Sequence, residues 1–571
     1  MRQRIRYILL LTACAWMCHA QSPPNSKVYF TGLGRALITH DKLDGNILQN
    51  DTATPNRGTE GYALFDMGVN LQPFDYVRGK VIIRLKNKFG SFYGQGASVE
   101  FRQLLIEGII AKKVKYALGD IDVLMTPYTV FNSVDSSEAF ESDLFKTRRE
   151  IVHYENLNVG NNWRVQGAKA NTTMRIKNTP VRIRFDLFGS RTRAFSYTGL
   201  PDRFLTGGAM NITANNLKLG GNYVRFFELA DQTRNQVTSY SNDVVTGTLA
   251  YEKEISQFVF RVKGEGGKSL YQRSVSLDSS SNKNDFFFDL RGEVEIKPIK
   301  LRTYGGYREI GPEFYSPSAQ TVRIDASKPP SIFPRVGNDQ VARTQLLYDR
   351  FTQEGMYNQT ILPTFMLFLP QFGNALPYGD ATPNRKGVLA GIVAGDNQSL
   401  IKASIRSDFL SEIIGEGTTS PRQFMLVRGG ASMQLNQVLK FKRVFTLTAG
   451  GRWEQTDRSA PAGVSLQTQQ VDVGLTFEAL RQLDLILGYK ALYSKGNEFL
   501  AVRNSFNDIV DYSVTHLDLA QQTISGGIRY RFTNKSFFTV HGNFTSTKDL
   551  LNEGQSDYLL SQYFVTYTLG F

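Results

Sequence analysis

Tyr563-Phe564-Val565-Thr566-Tyr567-Thr568-Leu569-Gly570-Phe571 ends the chain, and its spacing decides how the rest is read. Counting back from the terminus, Phe571, Leu569, Tyr567, Val565 and Tyr563 occupy every second position, with Gly570, Thr568 and Thr566 between them. Side chains of a strand alternate between its two faces, so this is a strand with one greasy face and one smaller, more polar face. The last strand of a soluble β-sandwich would show the same alternation, so the remainder of the chain has to arbitrate.

The pattern recurs in segments of about ten residues. Ala63, Phe65, Met67, Val69 and Leu71 alternate with Leu64, Asp66, Gly68, Asn70 and Gln72. Val81, Ile83 and Leu85 alternate with Lys80, Ile82, Arg84 and Lys86, and Val181, Ile183, Phe185 and Leu187 with Arg182, Arg184 and Asp186. Phe286, Phe288, Leu290, Val294 and Ile296 oppose Phe287, Asp289, Arg291, Glu293 and Glu295. Ile524, Gly526, Ile528, Tyr530 and Phe532 oppose Thr523, Ser525, Gly527, Arg529 and Arg531; Phe538, Val540 and Phe544 oppose Thr539, His541 and Asn543. Such strands exceed the five or six residues usual in soluble sheets. Their polar faces are charged, and aromatic residues such as Tyr76, Tyr223, Tyr304, Trp453 and Tyr493 stand near segment ends, as in an interfacial girdle.

Composition agrees with a membrane sheet. Aromatics make up 12% of the 571 residues and glycine is high at 50, while mean hydropathy is below zero, which excludes a bundle of membrane helices. A barrel tolerates a polar average because half of each strand faces water. The N-terminus carries Arg2, Arg4 and Arg6, an apolar run from Tyr7 to Met17, and Cys18-His19-Ala20-Gln21. This predicts an export signal over residues 1–20, cleaved after Ala20. Leu11-Thr12-Ala13-Cys14 has the look of a lipoprotein box, but cleavage there would leave a very short apolar region. Both cysteines lie in the signal, so the exported chain holds no disulfide, thiolate metal site or cysteine nucleophile. The formal charge of +14 points to anionic headgroups or solutes rather than nucleic acid, because the basic residues are spread along strands.

Short turns are expected at Gln72-Pro73-Phe74-Asp75, Lys297-Pro298-Ile299 and Thr533-Asn534-Lys535, and longer polar loops at Asp278 to Asp285 and Lys495 to Gln521. Two stretches break the alternation. One is 120–160, with Asp135-Ser136-Ser137-Glu138, Glu141-Ser142-Asp143, Lys146, Arg148 and Arg149. The other, about 311–387, carries nine of the nineteen prolines and reads as a loop over the mouth or into the lumen. Ala53-Thr54-Pro55-Asn56-Arg57 returns as Ala381-Thr382-Pro383-Asn384-Arg385, each time as the entry to a strand.

No catalytic or metal motif stands out. His40, His153, His516 and His541 have no metal-ligand spacing, and neither a nucleophile elbow nor a phosphate loop is present. His541 with a loop acid is the one arrangement that would allow a rim enzyme; a solvated histidine on a polar face is the simpler reading. We expect no enzyme activity and no cofactor.

The terminal aromatic, the repeated alternation and the signal ending at Gln21 together resemble Gram-negative outer-membrane β-barrel proteins over essentially the whole exported chain, in particular large barrels of the Bacteroidetes. That resemblance implies an all-β fold: one antiparallel transmembrane barrel over 21–571, with about 20 to 24 strands and 22 favoured, since closure prefers an even number. It implies an outer-membrane location, contact with lipid, and an assembly machinery that reads Tyr563, Val565, Tyr567, Leu569 and Phe571 as the insertion strand. Function would then lie in the lumen. Arg84, Arg182, Arg184, Arg261, Arg291, Arg529 and Arg531, with Asp186, Asp289, Glu293 and Glu295, are the candidate lining residues. An excess of arginine would favour anions; mutual salt-bridging that stiffens the wall is the alternative. The leading expectation is a porin-like channel for small, anionic solutes. The other is a structural or assembly component of a secretion or surface-attachment complex, with a protein partner.

Overall fold

The computed structural model describes residues 27–48, 56–90, 96–133, 140–155, 161–194, 201–229, 239–276, 279–320, 361, 365, 369–459, 462–506, 508–551 and 557–571. The expected signal at 1–20, the Asp135-Ser136-Ser137-Glu138 run and most of the proline-rich stretch lie outside them. The chain forms one sheet of 22 antiparallel strands, each bonded to its sequence neighbours. It closes where the first strand, Val28–Asp44 (β1), pairs with the last, Tyr558–Gly570 (β22), in a register that sets Ala36 against Tyr567. Phe571 completes the seam: its N–H donates to Gly32 O at 3.1 Å and its carbonyl accepts from Gly32 N at 2.9 Å. A Cβ on Gly32 would lie 2.3 Å from the Phe571 ring, so the seam needs glycine there.

The sheet is inside out by the standard of a soluble protein. On β22, Phe564, Thr566 and Thr568 are buried while Tyr563, Val565, Tyr567 and Phe571 are exposed. The same holds around the wall, where Leu187, Ile405, Val471, Leu487, Ile524 and Val540 form an outward belt and Arg84, Asp289, Asp408, Asp472 and Lys490 lie buried on the inner face. An apolar belt of this extent is stable against hydrocarbon and not against water. Closure leaves no unpaired edge within the belt, which is what a bilayer demands. The barrel therefore spans a membrane by its strands.

β1 starts and β22 finishes at the end where connections are short, such as Phe74 to Val77 and Leu480 to Leu483. The other end carries the long connections, including those between Val123 and Trp163 and between Ile310 and Arg385. Two expected loops are strand instead. Ser279–Ile296 (β12) begins where a polar loop was expected at 278–285, and pairs with Phe258–Ser276 (β11), Tyr271 opposite Lys283. Lys495 to Gln521 belongs largely to Leu483–Arg503 (β19) and Ile509–Arg531 (β20). Both hairpins run past the apolar belt, where neither face meets lipid, so the greasy alternation that marks strands elsewhere is lost. Tyr304 is likewise no girdle residue: its ring packs on the inner face over Gly391, directly opposite in register.

Candidate functional site

A wall of 22 strands encloses a lumen far wider than its own side chains can fill. Here two long connections fold into it. The first follows Val114–Val123 (β5) and precedes Trp163–Arg175 (β6), and carries a helix, Asp143–Glu155 (α1). Just before the helix, Ser142 Oγ donates to Leu487 O at 2.8 Å, and Glu141 accepts from Lys490 Nζ at 2.8 Å. Lys490 also lies 3.0 Å from Asp472, and all three side chains are essentially sealed from solvent.

Charges fit the helix dipole at both ends. Asp143 in the first turn pairs with Arg529, which also donates to Thr147 Oγ1 at 2.8 Å. At the far end Arg84 and Arg102 donate to the last carbonyls, Arg84 to Glu155 O at 3.0 Å. The Glu155 carboxylate accepts from Arg35 at 2.7 Å and from the Tyr62 hydroxyl at 2.5 Å. Asp66 ties Arg84 in a two-point bond of 2.7 and 2.8 Å and accepts from Tyr154 at 2.6 Å. Within one helix the segment thus runs along the inner face from β20, past β22, to β1 and the strands that follow it.

Inner-face glycines make room for this segment. A Cβ on Gly474 would meet Ser142 Cα at 2.5 Å, and one on Gly488 would meet Ser142 Oγ at 2.8 Å. Gly474→Val should therefore overpack this contact and destabilise the segment's seat by about 1–3 kcal/mol. Faster proteolysis within 140–155, with heat-resistant barrel migration unchanged, is the expected readout.

The second insertion lies between Leu301–Ile310 (β13) and Arg385–Ala394 (β14). Tyr315 N donates to Ser269 Oγ and Asn242 Nδ2 to Tyr315 O, each at 2.9 Å. Arg452 donates to Phe372 O at 2.6 Å, and Asn374 bonds Glu454, Thr456 and Glu498. The insertions also bind one another: Ser318 Oγ donates to Thr129 O at 2.6 Å, and Phe131 N to Ser318 O at 2.9 Å. Asn384, at φ +56°, ends the segment and holds Ile413, Ile414 and Ile414 O through its amide. The repeated Pro-Asn-Arg motif thus does lead into a strand here.

Asp380 is the centre of the second insertion. It sits 2.9 Å from Arg308 and 3.1 Å from each of Arg291 and Arg406. Burial by itself would raise its pKa, but these three guanidiniums outweigh that and hold it well below the usual carboxylate range. A carboxylate with a depressed folded value contributes stability above its unfolded pKa of about 3.9, and that stability drains away as pH falls toward the folded value. The 369–384 segment should therefore stay seated at pH 5 and loosen as pH falls below about 4, seen as new proteolytic sites by an acid-active protease. Asp380→Asn should remove this acid transition.

One hairpin also reaches over the long-connection end. The tip of the β19–β20 hairpin reaches the opposite wall, where Phe506 O accepts from Tyr271 at 3.4 Å and Asp508 pairs with Lys283.

The residues singled out from sequence do not form one ring. Arg84 and Arg529 hold α1, and Asp289 and Arg291, 2.6 Å apart, join the Asp380 cluster. Arg261 is shared by Glu252 at 2.8 Å and by Glu293 and Glu295 at 2.6 Å. Arg531 bridges Asp484 and Glu478 at 2.8 and 2.9 Å. Arg184 pairs with Asp186 at 2.7 Å, and Arg182 stands exposed two residues away on the same strand. His541 lies flat on Phe564, their ring centres 4.7 Å apart. Among the described residues no group of three or more His, Cys, Asp or Glu side chains is placed to hold a metal ion. Arg35, Glu155, Arg308, Asp380 and Lys490 escaped the sequence reading. Of these, Asp380 and Glu155 lie in the two stretches where alternation fails, which is the signal that locates them.

No family model matches the chain, and no curated protein matches it. Among solved structures it is similar to OccK11 (OpdR) of Pseudomonas aeruginosa at 8% identity, covering 95% of this chain and 96% of that one, with a TM-score of 0.33. It is similar to the ferric citrate transporter FecA in its unliganded form at 8% identity, over 94% and 78% of the two chains, TM-score 0.46. A BenF-like porin from Pseudomonas fluorescens Pf-5 shares 8% identity over 95% and 99%, TM-score 0.31.

Proposed function

We propose that the protein is an outer-membrane channel that passes small solutes through a lumen narrowed by two inserted segments of its own chain. The observation that supports this reading is the seating of α1 and of 369–384 against the inner face of a closed 22-strand wall, by buried ion pairs and hydrogen bonds together with apolar contacts such as Phe372 on Leu492 and Leu519. The polar part of these seats fixes each segment in one place and can exchange for water when it moves. The inner arginines are largely neutralised by carboxylates, so charge selection rests on what remains. Lys263 and Arg302, with side chains 62% and 46% exposed, share Glu293 on the inner face and favour anions. In planar bilayers the wild type should give small conductance steps with a reversal potential displaced toward chloride. Glu155→Gln, which weakens the hold on Arg35, should enlarge the steps. Silence in both proteins would count against a channel.

A lumen that holds segments of its own chain is also what a structural component of an outer-membrane complex would show. That second reading predicts a barrel that remains sealed even when α1 is unlatched.

A further inference from the structure

Arginines on the inner wall generally answer a carboxylate, as Arg84, Arg261, Arg308 and Arg529 do. Two on neighbouring strands answer each other instead. Val181–Arg193 (β7) returns antiparallel to β6 through a short turn, closed by Ile176 N donating to Val181 O at 3.1 Å. The next pair up the ladder is Arg175 opposite Arg182. Bonded and non-bonded pairs alternate along an antiparallel ladder, so this one is not hydrogen-bonded. In such pairs the Cα atoms stand about 4.5 Å apart and the side chains lie closest. Arg175 has the inward parity of Trp163 and Val165, and Arg182 that of Ser190, all three of which are buried. Like charges set directly opposite one another destabilise a strand pair.

The row continues along the wall. Arg182 faces Thr213 on Arg203–Ala214 (β8), and Thr213 faces Lys218 on Leu217–Glu228 (β9). Lys218 is thus two strand spacings from Arg182, roughly 10 Å. It shares the inward parity of buried Asn222 and Val224. Arg175, Arg182 and Lys218 are all exposed, and among the described residues none of them pairs with a carboxylate. The acids of the neighbouring rows are already engaged. Asp186 holds Arg184 in a two-point bond of 2.8 and 2.7 Å, and Glu252 holds Arg261 at 2.8 Å. Thr173 and Asn211, the cross-strand partners of Arg184, are neutral, as is Thr213. Charge of a single sign therefore faces the lumen here, beside the short-connection end.

We propose that Arg175 and Arg182 form a solute site that takes a phosphate group, with Lys218 placed for a second anionic group on the same solute. The proposal deepens the channel reading and rests on it. A guanidinium presents a planar fork that matches two phosphate oxygens. A phosphate carries close to two charges at neutral pH and three acceptor oxygens, so it answers both forks of the opposed pair at once. A carboxylate has one charge and two oxygens, and answers one fork. Seated between the arginines, the anion also replaces their mutual repulsion with two attractions.

The test uses the full-length protein in detergent at low salt, with inorganic phosphate, a hexose bisphosphate and succinate as probes. Binding is read by titration calorimetry, which needs no current. The expected result is saturable binding of phosphate, tighter binding of the bisphosphate and weaker binding of succinate. Arg182→Gln and Arg175→Gln should each lower phosphate affinity about tenfold, and Lys218→Gln should lower that of the bisphosphate alone. Both arginines are exposed and oppose each other, so neither change should lower the melting temperature in phosphate-free buffer; a role in holding the wall would lower it. Equal phosphate binding by wild type and both glutamine variants, or succinate held as tightly as phosphate, would overturn the proposal. A bisphosphate held no tighter than inorganic phosphate would overturn the role of Lys218 and leave free phosphate as the occupant. Binding without conductance in planar bilayers would uphold the site and contradict the channel; conductance without binding would do the reverse.

Discussion

Asp380→Ala should unseat the second insertion while leaving the barrel intact. Three guanidiniums converge on this carboxylate within 3.1 Å, and one of them, Arg308, is fully enclosed. Without Asp380, the carboxylates left beside Arg308 among the described residues are Asp289 at 3.9 Å and Asp408 at 3.7 Å, distances too long for good hydrogen bonds. Removing one partner from a buried ionic network leaves uncompensated charge and costs about 3–5 kcal/mol. That cost falls on the position of 369–384 and not on the wall, whose strands keep their backbone ladders. The expected observations are new proteolytic sites within 369–384, larger conductance steps, and an unchanged heat-resistant band. Asp380→Asn keeps an acceptor but no charge and should fall between. An alanine variant that is as protease-resistant as wild type would show that the cluster does not hold the insertion.

Lys490→Ala should have a comparable effect on the first insertion. Its ammonium is the shared counter-ion of Glu141, on the insertion, and Asp472, on the wall, with no solvent at any of the three. Alanine leaves Glu141 to Arg149 and Asp472 to the Gln470 amide at 2.9 Å. A loss of about 3–5 kcal/mol in seating energy follows, and it should appear as exposure of α1. The companion change tests the sign of the argument. Replacing Lys490 with Met and Asp472 with Leu together removes both wall charges, and should recover part of the loss because the desolvation penalty goes with them. Thermal melting of the two variants side by side, with proteolysis at 140–155, separates these outcomes.

The wall was legible because lipid imposes a period of two on its outer face. Val471, Val473 and Leu475 on Val464–Leu480 (β18), or Tyr563, Val565 and Tyr567 on β22, announce strands without help from the rest of the chain. The strand number and the closing role of the last strand followed. Where lipid stops, so does the signal: the start of β12, Ser279 to Asn284, is polar on both faces, and the upper half of β20 mixes Val510 and Val514 with Asp511, Ser513, Thr515 and His516, so both stretches are expected from sequence as loops. The interior was harder for a different reason. The apolar residues that α1 buries, Leu144, Phe145, Ile151 and Val152, are few and set among charges, and its Tyr154 packs among Arg35, Arg84 and Arg102. Asp-Leu-Phe-Lys-Thr-Arg-Arg-Glu-Ile-Val-His-Tyr-Glu therefore looks like a solvated stretch. Only its failure to alternate marks it. The proline content of 311–387 marked the other insertion, but Asp380 gains its meaning from Arg291, Arg308 and Arg406, which lie on three separate strands.

The claim on which the account turns is that α1 and its leading residues lie inside the wall. The sequence's two cysteines are Cys14 and Cys18, so with both changed to serine a pair placed at Ser142→Cys and Gly488→Cys reports directly. Ser142 lies within reach of a Cβ at position 488, about 2.8 Å from its own Cβ, so modest backbone adjustment brings the pair to disulfide geometry. Oxidation of the membrane-inserted protein should give a high yield of the intramolecular disulfide, with little labelling by a membrane-impermeant maleimide beforehand. Rapid labelling of both thiols and no disulfide would place the segment outside the lumen and contradict the account.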